Sequence, residues 1–136
     1  MTTPYQDRKI SAPALNVGDE PYFDAAAQGR LLLKKCLACG EHHHYPRAIC
    51  PFCFSDRTEW VEAKGTGTLF TFSVTRRGVP TPYALAYVTL DEGVSVMTNI
   101  ADCDLDTLQI GQKMKVVFKK SENGLTLPMF APASAT

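Results

Sequence analysis

The sequence predicts a mainly β protein: a short helix, a metal-stapled ribbon, then a five-stranded antiparallel barrel. Three observations carry this reading. Four of the five cysteines fall in two Cys-x-x-Cys pairs between Cys36 and Cys53. Five runs of alternating apolar and polar residues crowd the stretch from Thr68 to Phe130, leaving almost no room for helix. Nine prolines and nine glycines in 136 residues favour turns and short strands over long helices.

Residues 1–18 are polar, contain Pro4, Pro13 and Gly18, and show no sustained period, so a flexible arm that orders on a partner is expected. Asp19–Gly29 then has helix signals at both ends. Asp19 can cap, Pro21 fits the first turn, Tyr22, Phe23, Ala26 and Ala27 lie at helical spacing, and Gly29 can end the element. Leu31–Lys35 reads as a strand leading into the cysteine segment, which closes near Trp60.

The barrel strands follow. Thr68–Arg76 alternates with Phe70, Phe72 and Val74 on one face and Thr71, Ser73 and Thr75 on the other. Tyr83–Leu90 and Val94–Ile100 are joined by Asp91-Glu-Gly93, a hairpin signal. Lys113–Lys120 turns Met114, Val116 and Phe118 inward, and Glu122-Asn-Gly124 leads into Leu125–Phe130. Pairing five such strands gives a closed or nearly closed barrel. Pro132–Thr136 is expected to fray. The divisions are therefore an arm and helix over 1–30, a ribbon over 31–62 and a barrel with a short tail over 63–136.

Fourteen basic and fourteen acidic residues cancel, so no overall field draws the chain to phosphate polymers or anionic lipid. The first residues lack the apolar run of a secretory signal, and no window approaches a membrane span. A soluble, cytoplasmic protein is expected, whose paired cysteines serve as metal ligands rather than disulfides.

Each Cys-x-x-Cys pair can close a tight turn with both sulfurs toward one ion, and Gly40 permits the positive φ that such a turn requires. Cys36, Cys39, Cys50 and Cys53 together satisfy tetrahedral Zn²⁺ completely. An iron centre of the rubredoxin kind uses the same ligands. With four thiolates bound no position is open, so the metal is structural and His42, His43 and His44 are read as loop residues. Cys103 lies between Asp102 and Asp104, which raise its pKa and blunt it as a nucleophile. No nucleophile–base pair, phosphate-cradling loop or calcium loop is present, so no catalytic residue is assigned.

From about Glu20 to Phe130 the chain resembles the zinc-ribbon/OB-fold family of acyl-CoA-associated proteins, long catalogued as a domain of unknown function. The resemblance rests on Pro21-Tyr22-Phe23, Gly29-Arg30-Leu31, Cys36-x-x-Cys39-Gly40, Tyr45-Pro46-Arg47, Cys50-Pro51-x-Cys53, Glu59-Trp60, Gly65-x-Gly67, Leu90-Asp-Glu-Gly93 and Ile110-Gly111. It implies an OB fold for the barrel and a non-catalytic companion subunit beside a thiolase-fold enzyme acting on acyl-CoA. It also implies a barrel near the coenzyme A path, with ribbon and helix against the catalytic subunit. On that footing Tyr22, Phe23 and Arg47 are candidate interface residues. Phe70 and Phe72 with Arg76 and Arg77 are candidates for an apolar wall and two cations toward coenzyme A. The triple histidine before Tyr45 departs from the family's usual, less polar stretch.

A second reading, single-stranded nucleic-acid binding, is open to any OB barrel. Tyr83 and Tyr87 would stack bases, and Arg76, Arg77, Lys113, Lys115, Lys119 and Lys120 would meet phosphate. The zero net charge speaks against it.

Overall fold

The computed structural model describes residues 3–6, 9–15 and 18–133. Helix α1 spans Glu20–Ala27 with Pro21 in its first turn, and Asp19 at the N-cap makes no side-chain capping bond. Tyr22, Ala25 and Ala26 are its buried residues, while Ala27 faces outward. These i, i+3, i+4 positions pack the helix onto the chain's own body.

Strands β1 (Leu32–Cys36), β2 (His42–His43) and β3 (Thr58–Glu62) form an antiparallel sheet in the order β2-β1-β3. Two of the three histidines expected in a loop are thus strand residues, with Lys34 opposite His43. Lys34 also stands opposite Trp60 and lays its ammonium over the indole, 4.4 Å from the ring centroid. Leu31 and Leu33 carry the ribbon's inner face into the same apolar core that fills the barrel.

The barrel comprises β4 (Thr66–Thr75), β5 (Tyr83–Leu90), β6 (Ser95–Asn99), β7 (Lys113–Lys120) and β8 (Thr126–Pro132), in the order β6-β5-β4-β7-β8. A parallel bridge between Ile100 and Phe130 brings the two edges together, and the Ala101 N–H donates to the Phe130 carbonyl at 2.8 Å. The result is a nearly closed five-stranded antiparallel barrel. Leu69, Ala84, Val88, Leu90, Met114 and Phe130 fill it. Each large aliphatic or aromatic side chain buried there is worth about 1.5–3 kcal/mol.

The alternation expected along β4 breaks at one point. Leu69 pairs with Val88 and Thr71 with Tyr87, so Phe70 is the extra residue of a bulge. Leu69 is fully buried, Phe70 is 64% exposed, and Phe72 and Val74 return to the core side. Gly67 marks another constraint on this strand: a Cβ there would stand 2.5 Å from the Thr89 carbonyl oxygen and 3.0 Å from Leu90 Cα.

The amino-terminal segment expected to be loose is paired with the barrel over its first described residues. Tyr5 N–H donates to the Cys103 carbonyl and Leu105 N–H to the Thr3 carbonyl. Asp106, in a 3-10 turn over Leu105–Thr107, accepts from the Thr3 hydroxyl and from Arg76. Further along, Glu122 N–H donates to the Ile10 carbonyl. The hydrogen-bonding groups of the 102–107 loop thus provide what the arm's own sequence could not. Pro132, expected in a frayed tail, is the last residue of β8, and residues 134–136 lie outside the described residues.

Candidate metal centre and its surroundings

Two turns of matching geometry carry the cysteines. In the first, Gly40 N–H donates to the Cys36 carbonyl at 2.9 Å and Cys36 N–H to the Glu41 carbonyl at 2.9 Å. In the second, Phe54 N–H donates to the Cys50 carbonyl at 2.9 Å and Cys50 N–H to the Ser55 carbonyl at 2.8 Å. Gly40 and Phe54 take the same place after their knuckles, and both have positive φ, 79° and 65°. Backbone N–H groups also point at sulfur: Cys39 N–H at Cys36 Sγ, 3.5 Å, and Phe52 N–H at Cys50 Sγ, 3.4 Å.

The four sulfurs lie within 4.8 Å of one another. Cys36 and Cys53 are 3.5 Å apart, Cys39 and Cys50 3.7 Å. These are not disulfides, which need about 2.05 Å. A tetrahedron of 2.3 Å Zn–S bonds has edges of about 3.8 Å, so the donor set fits Zn²⁺ in both chemistry and size. The backbone N–H of Cys39 pulls the Cys36 thiol down to about 6 against the opposing effect of burial, while Cys39 and Cys53, which share hydrogen bonds with it, are pushed up. Cys36 and Cys50 are fully buried, whereas Cys39 and Cys53 are exposed. Among the described residues no histidine joins the group.

The cysteine left over, Cys103, packs partly against the core. Burial first, then Asp104 and Asp102, push its thiol up to about 11, which makes it a poor nucleophile. The acidic neighbours alone do not account for this.

The residues considered for coenzyme A are not brought together as one wall. Phe70 stands outside at the bulge while Phe72 packs against the core. Arg76 is ion-paired with Asp106, whose carboxyl it holds below the usual carboxylate range. Arg77 is exposed. Of the residues considered for a partner interface, Tyr22 is only 7% exposed and belongs to the chain's own core. Its ring stands edge-on to Phe23, 5.2 Å between centroids, and 5.8 Å from the His44 ring. Tyr22, Phe23 and Arg47 all line a cavity between α1, the turn after β2 and the barrel.

Four of the exposed large apolar residues, Leu37, Ile49, Phe52 and Phe54, lie in the metal segment, the last 78% exposed, while others, among them Phe70 and Ile110, lie on the barrel. Sequence reasoning missed those four. The signal was the apolar residue on either side of the last ligand in Cys50-Pro-Phe-Cys53-Phe54, hidden by the habit of assigning aromatics to the core.

Residues 23–59 match the family described as the ChsH2 rubredoxin-like zinc ribbon domain, and residues 60–119 the ChsH2 C-terminal OB-fold domain. A DUF35 domain-containing scaffold protein of Methanothermobacter thermautotrophicus is 37% identical over 94 residues, 63% of this chain and 69% of that protein. The chain belongs to the ChsH2-type DUF35 family. A solved structure of this family, an Ltp2-ChsH2(DUF35) aldolase, superposes with a TM-score of 0.77 at 35% identity, covering 90% of this chain and 100% of the matched one. A probable enoyl-CoA hydratase alpha subunit of Thermomonospora curvata is 35% identical over 89% of this chain, which spans only 39% of that protein. The benzoylsuccinyl-CoA thiolase subunit BbsA of Geobacter metallireducens is 27% identical over 60% of this chain. Membership of the DUF35 family makes the four-cysteine cluster the site of a structural zinc in a rubredoxin-like ribbon.

Proposed function

We propose that this protein is a non-catalytic companion subunit of a thiolase-fold enzyme that makes or breaks a carbon–carbon bond, or transfers an acyl group, on an acyl-CoA thioester. The observation that carries the reading is the match, at 35% identity, to the whole DUF35 chain of an aldolase in which that chain accompanies Ltp2. A thiolase subunit among the relatives points the same way. The chemistry of this chain agrees. Four thiolates leave zinc no open position, and the spare cysteine is blunted first by burial.

In this reading the zinc ribbon is a rigid arm that presents an apolar tip to the catalytic subunit. Leu37, Ile49, Phe52 and Phe54 are the contact residues, with Arg47 at the base of the same loop. Large exposed apolar side chains on a metal-stapled loop bury area at little entropic cost, since the backbone is already fixed. Toward coenzyme A, the exposed Phe70 and Arg77 are proposed to face it, since Phe72 packs against the core and Arg76, although exposed, is ion-paired with Asp106. Phe72 and Arg76 hold the barrel and the arm instead.

Reconstitution tests the proposal. The isolated, zinc-loaded chain should turn over no acyl-CoA, and a thiolase-fold partner should gain activity when the chain is added. Turnover by the isolated chain that survives Cys103→Ser would overturn it.

A further inference from the structure

Four strands stand at the edges of the two sheets, and three of them are blunted. β2 is two residues long, β3 carries Glu59 and Glu62, and β8 carries Pro128 and Pro132. Each is a device that keeps an edge from pairing with another chain. β6 has no charge, no proline and no bulge in its register with β5. Its neighbours are alike: no residue of β4, β5 or β6 is charged, whereas β7 exposes Lys113, Lys115 and Lys120. Tyr87 and Met97 stand opposite one another on the outer side of β5 and β6, each nearly half exposed. Depletion of charge beside an aromatic and a methionine is the composition of an interface core.

Hydrogen bonds fix which way the β6 backbone points. Leu90 N–H donates to the Val94 carbonyl and Ile100 N–H to the Ala84 carbonyl, in the same register that pairs β5 with β6. Alternation along an antiparallel strand then turns the backbone groups of Val96 and Thr98 toward β5, and those of Ser95 and Met97 away from it. No described strand pairs with β6 on that side, short of the Ile100–Phe130 bridge just past its end. Asn99 differs, since its carbonyl accepts from the Thr98 hydroxyl. Three successive residues, Val96, Met97 and Thr98, line the cavity between α1, the turn after β2 and the barrel, whose volume is about 380 Å³. Successive side chains point to opposite faces, so a run of three borders a cavity only along the strand's edge. The unpaired backbone groups therefore open into that cavity, whose apolar depth is Leu31, Val96 and Phe130.

Main-chain donors and acceptors repeating at every second residue are matched by another extended backbone. We propose that β6 receives an extended, uncharged segment of the catalytic subunit, which pairs with Met97 through its own N–H and C=O. The proposal rests on the companion reading above and adds where and how the two chains join. The residue opposite Met97 lies beside Tyr87 on the outer face, and the residues before and after it put apolar side chains into the cavity. A charged residue there would lose its hydration with no counter-charge in β4, β5 or β6. Helix α1 and residues 44–47 wall the flank of β6, which leaves space for one chain and not for the barrel of a second copy.

The test is amide hydrogen exchange resolved to single residues, on the zinc-loaded chain alone and in its complex with the thiolase-fold subunit of the same organism. In the free chain Val96 and Thr98 should exchange slowly, and Ser95 and Met97 fast. In the complex Ser95 and Met97 should slow by about a hundredfold or more while Val96 and Thr98 change little. Met97→Pro removes the N–H that faces the partner, at an edge position where proline is tolerated. It should keep the zinc and weaken the complex about tenfold or more, whereas Met97→Leu, which retains the N–H, should bind within about threefold of the unaltered chain. If Met97→Pro does not fold, the exchange pattern of the unaltered chain decides. A complex in which Met97 still exchanges fast, full affinity in a folded Met97→Pro, or the same protection in the chain alone at high concentration would each overturn this proposal and leave the companion reading standing. Failure of the two chains to associate at all would overturn both.

Discussion

Phe54 stands in the second zinc knuckle where Gly40 stands in the first, with φ of 65° against 79° and the same 2.9 Å N–H bond to the carbonyl of the knuckle's first cysteine. A left-handed backbone costs a non-glycine residue about 1–2 kcal/mol, and a side chain 78% exposed recovers little of it by burial. The knuckle turn that brings the sulfurs together requires this backbone and so holds the strain, and the exposed ring is the one proposed to meet the partner. Phe54→Gly should therefore raise the isolated chain's stability by about 1 kcal/mol, keep its zinc, and weaken the complex at least tenfold. Thermal unfolding and a titration against the catalytic subunit read the two effects separately.

The zinc is a staple for the ribbon. Cys39→Ser should release the metal and melt the sheet of β1, β2 and β3. The barrel, whose strands pair with one another and not with the ribbon, should keep its strands but lose stability, because Leu31 and Leu33 leave the shared core. Elemental analysis and amide exchange over residues 66–132 check this, and stoichiometric zinc in the variant would refute it.

Gly67 is needed for room. Its added Cβ would strike Thr89 O and Leu90 Cα, backbone atoms that cannot rotate away. Gly67→Ala should cost about 2–3 kcal/mol by forcing β4 from β5. An unfolding midpoint in denaturant close to wild type would show that the strands have slack.

His44 adds a pH dependence. Burial holds its folded pKa at about 4 against an ordinary 6.5, so the unfolded chain binds the extra proton between those values. Stability is then fully present above about pH 6.5 and falls as pH drops toward 4, by roughly 3 kcal/mol from this group. Acid also strips zinc from thiolates, so the comparison is with His44→Phe, whose stability should fall less over that window. Parallel curves would remove His44 from the account.

Much of this molecule is visible in the residues. Lys113–Lys120 begins and ends where the alternation says, and the four cysteines meet because each knuckle is a local turn, closed by bonds a few residues apart. What stayed hidden depends on contacts distant in sequence. The bulge at Phe70 shifts register by one residue, and alternation assumes that no such shift occurs. The arm finds Cys103, Leu105 and Asp106 about a hundred residues away, and nothing in Thr3-Pro-Tyr5 announces those partners. The histidines read as loop residues because only the fold shows His42 and His43 in a strand and His44 beside Tyr22. Phe54 is legible once Gly40 is taken as its template.

The central claim is that this chain works as the zinc-stapled companion of a thiolase-fold enzyme. The most direct measurement is native mass spectrometry of the tagged chain isolated from its own organism, repeated with Phe52→Ser/Phe54→Ser. The account predicts a stoichiometric complex with a thiolase-fold subunit and one zinc per copy of this chain, lost in the double variant while the zinc is kept. A chain that runs alone, or a complex with nucleic acid in place of that subunit, would contradict it.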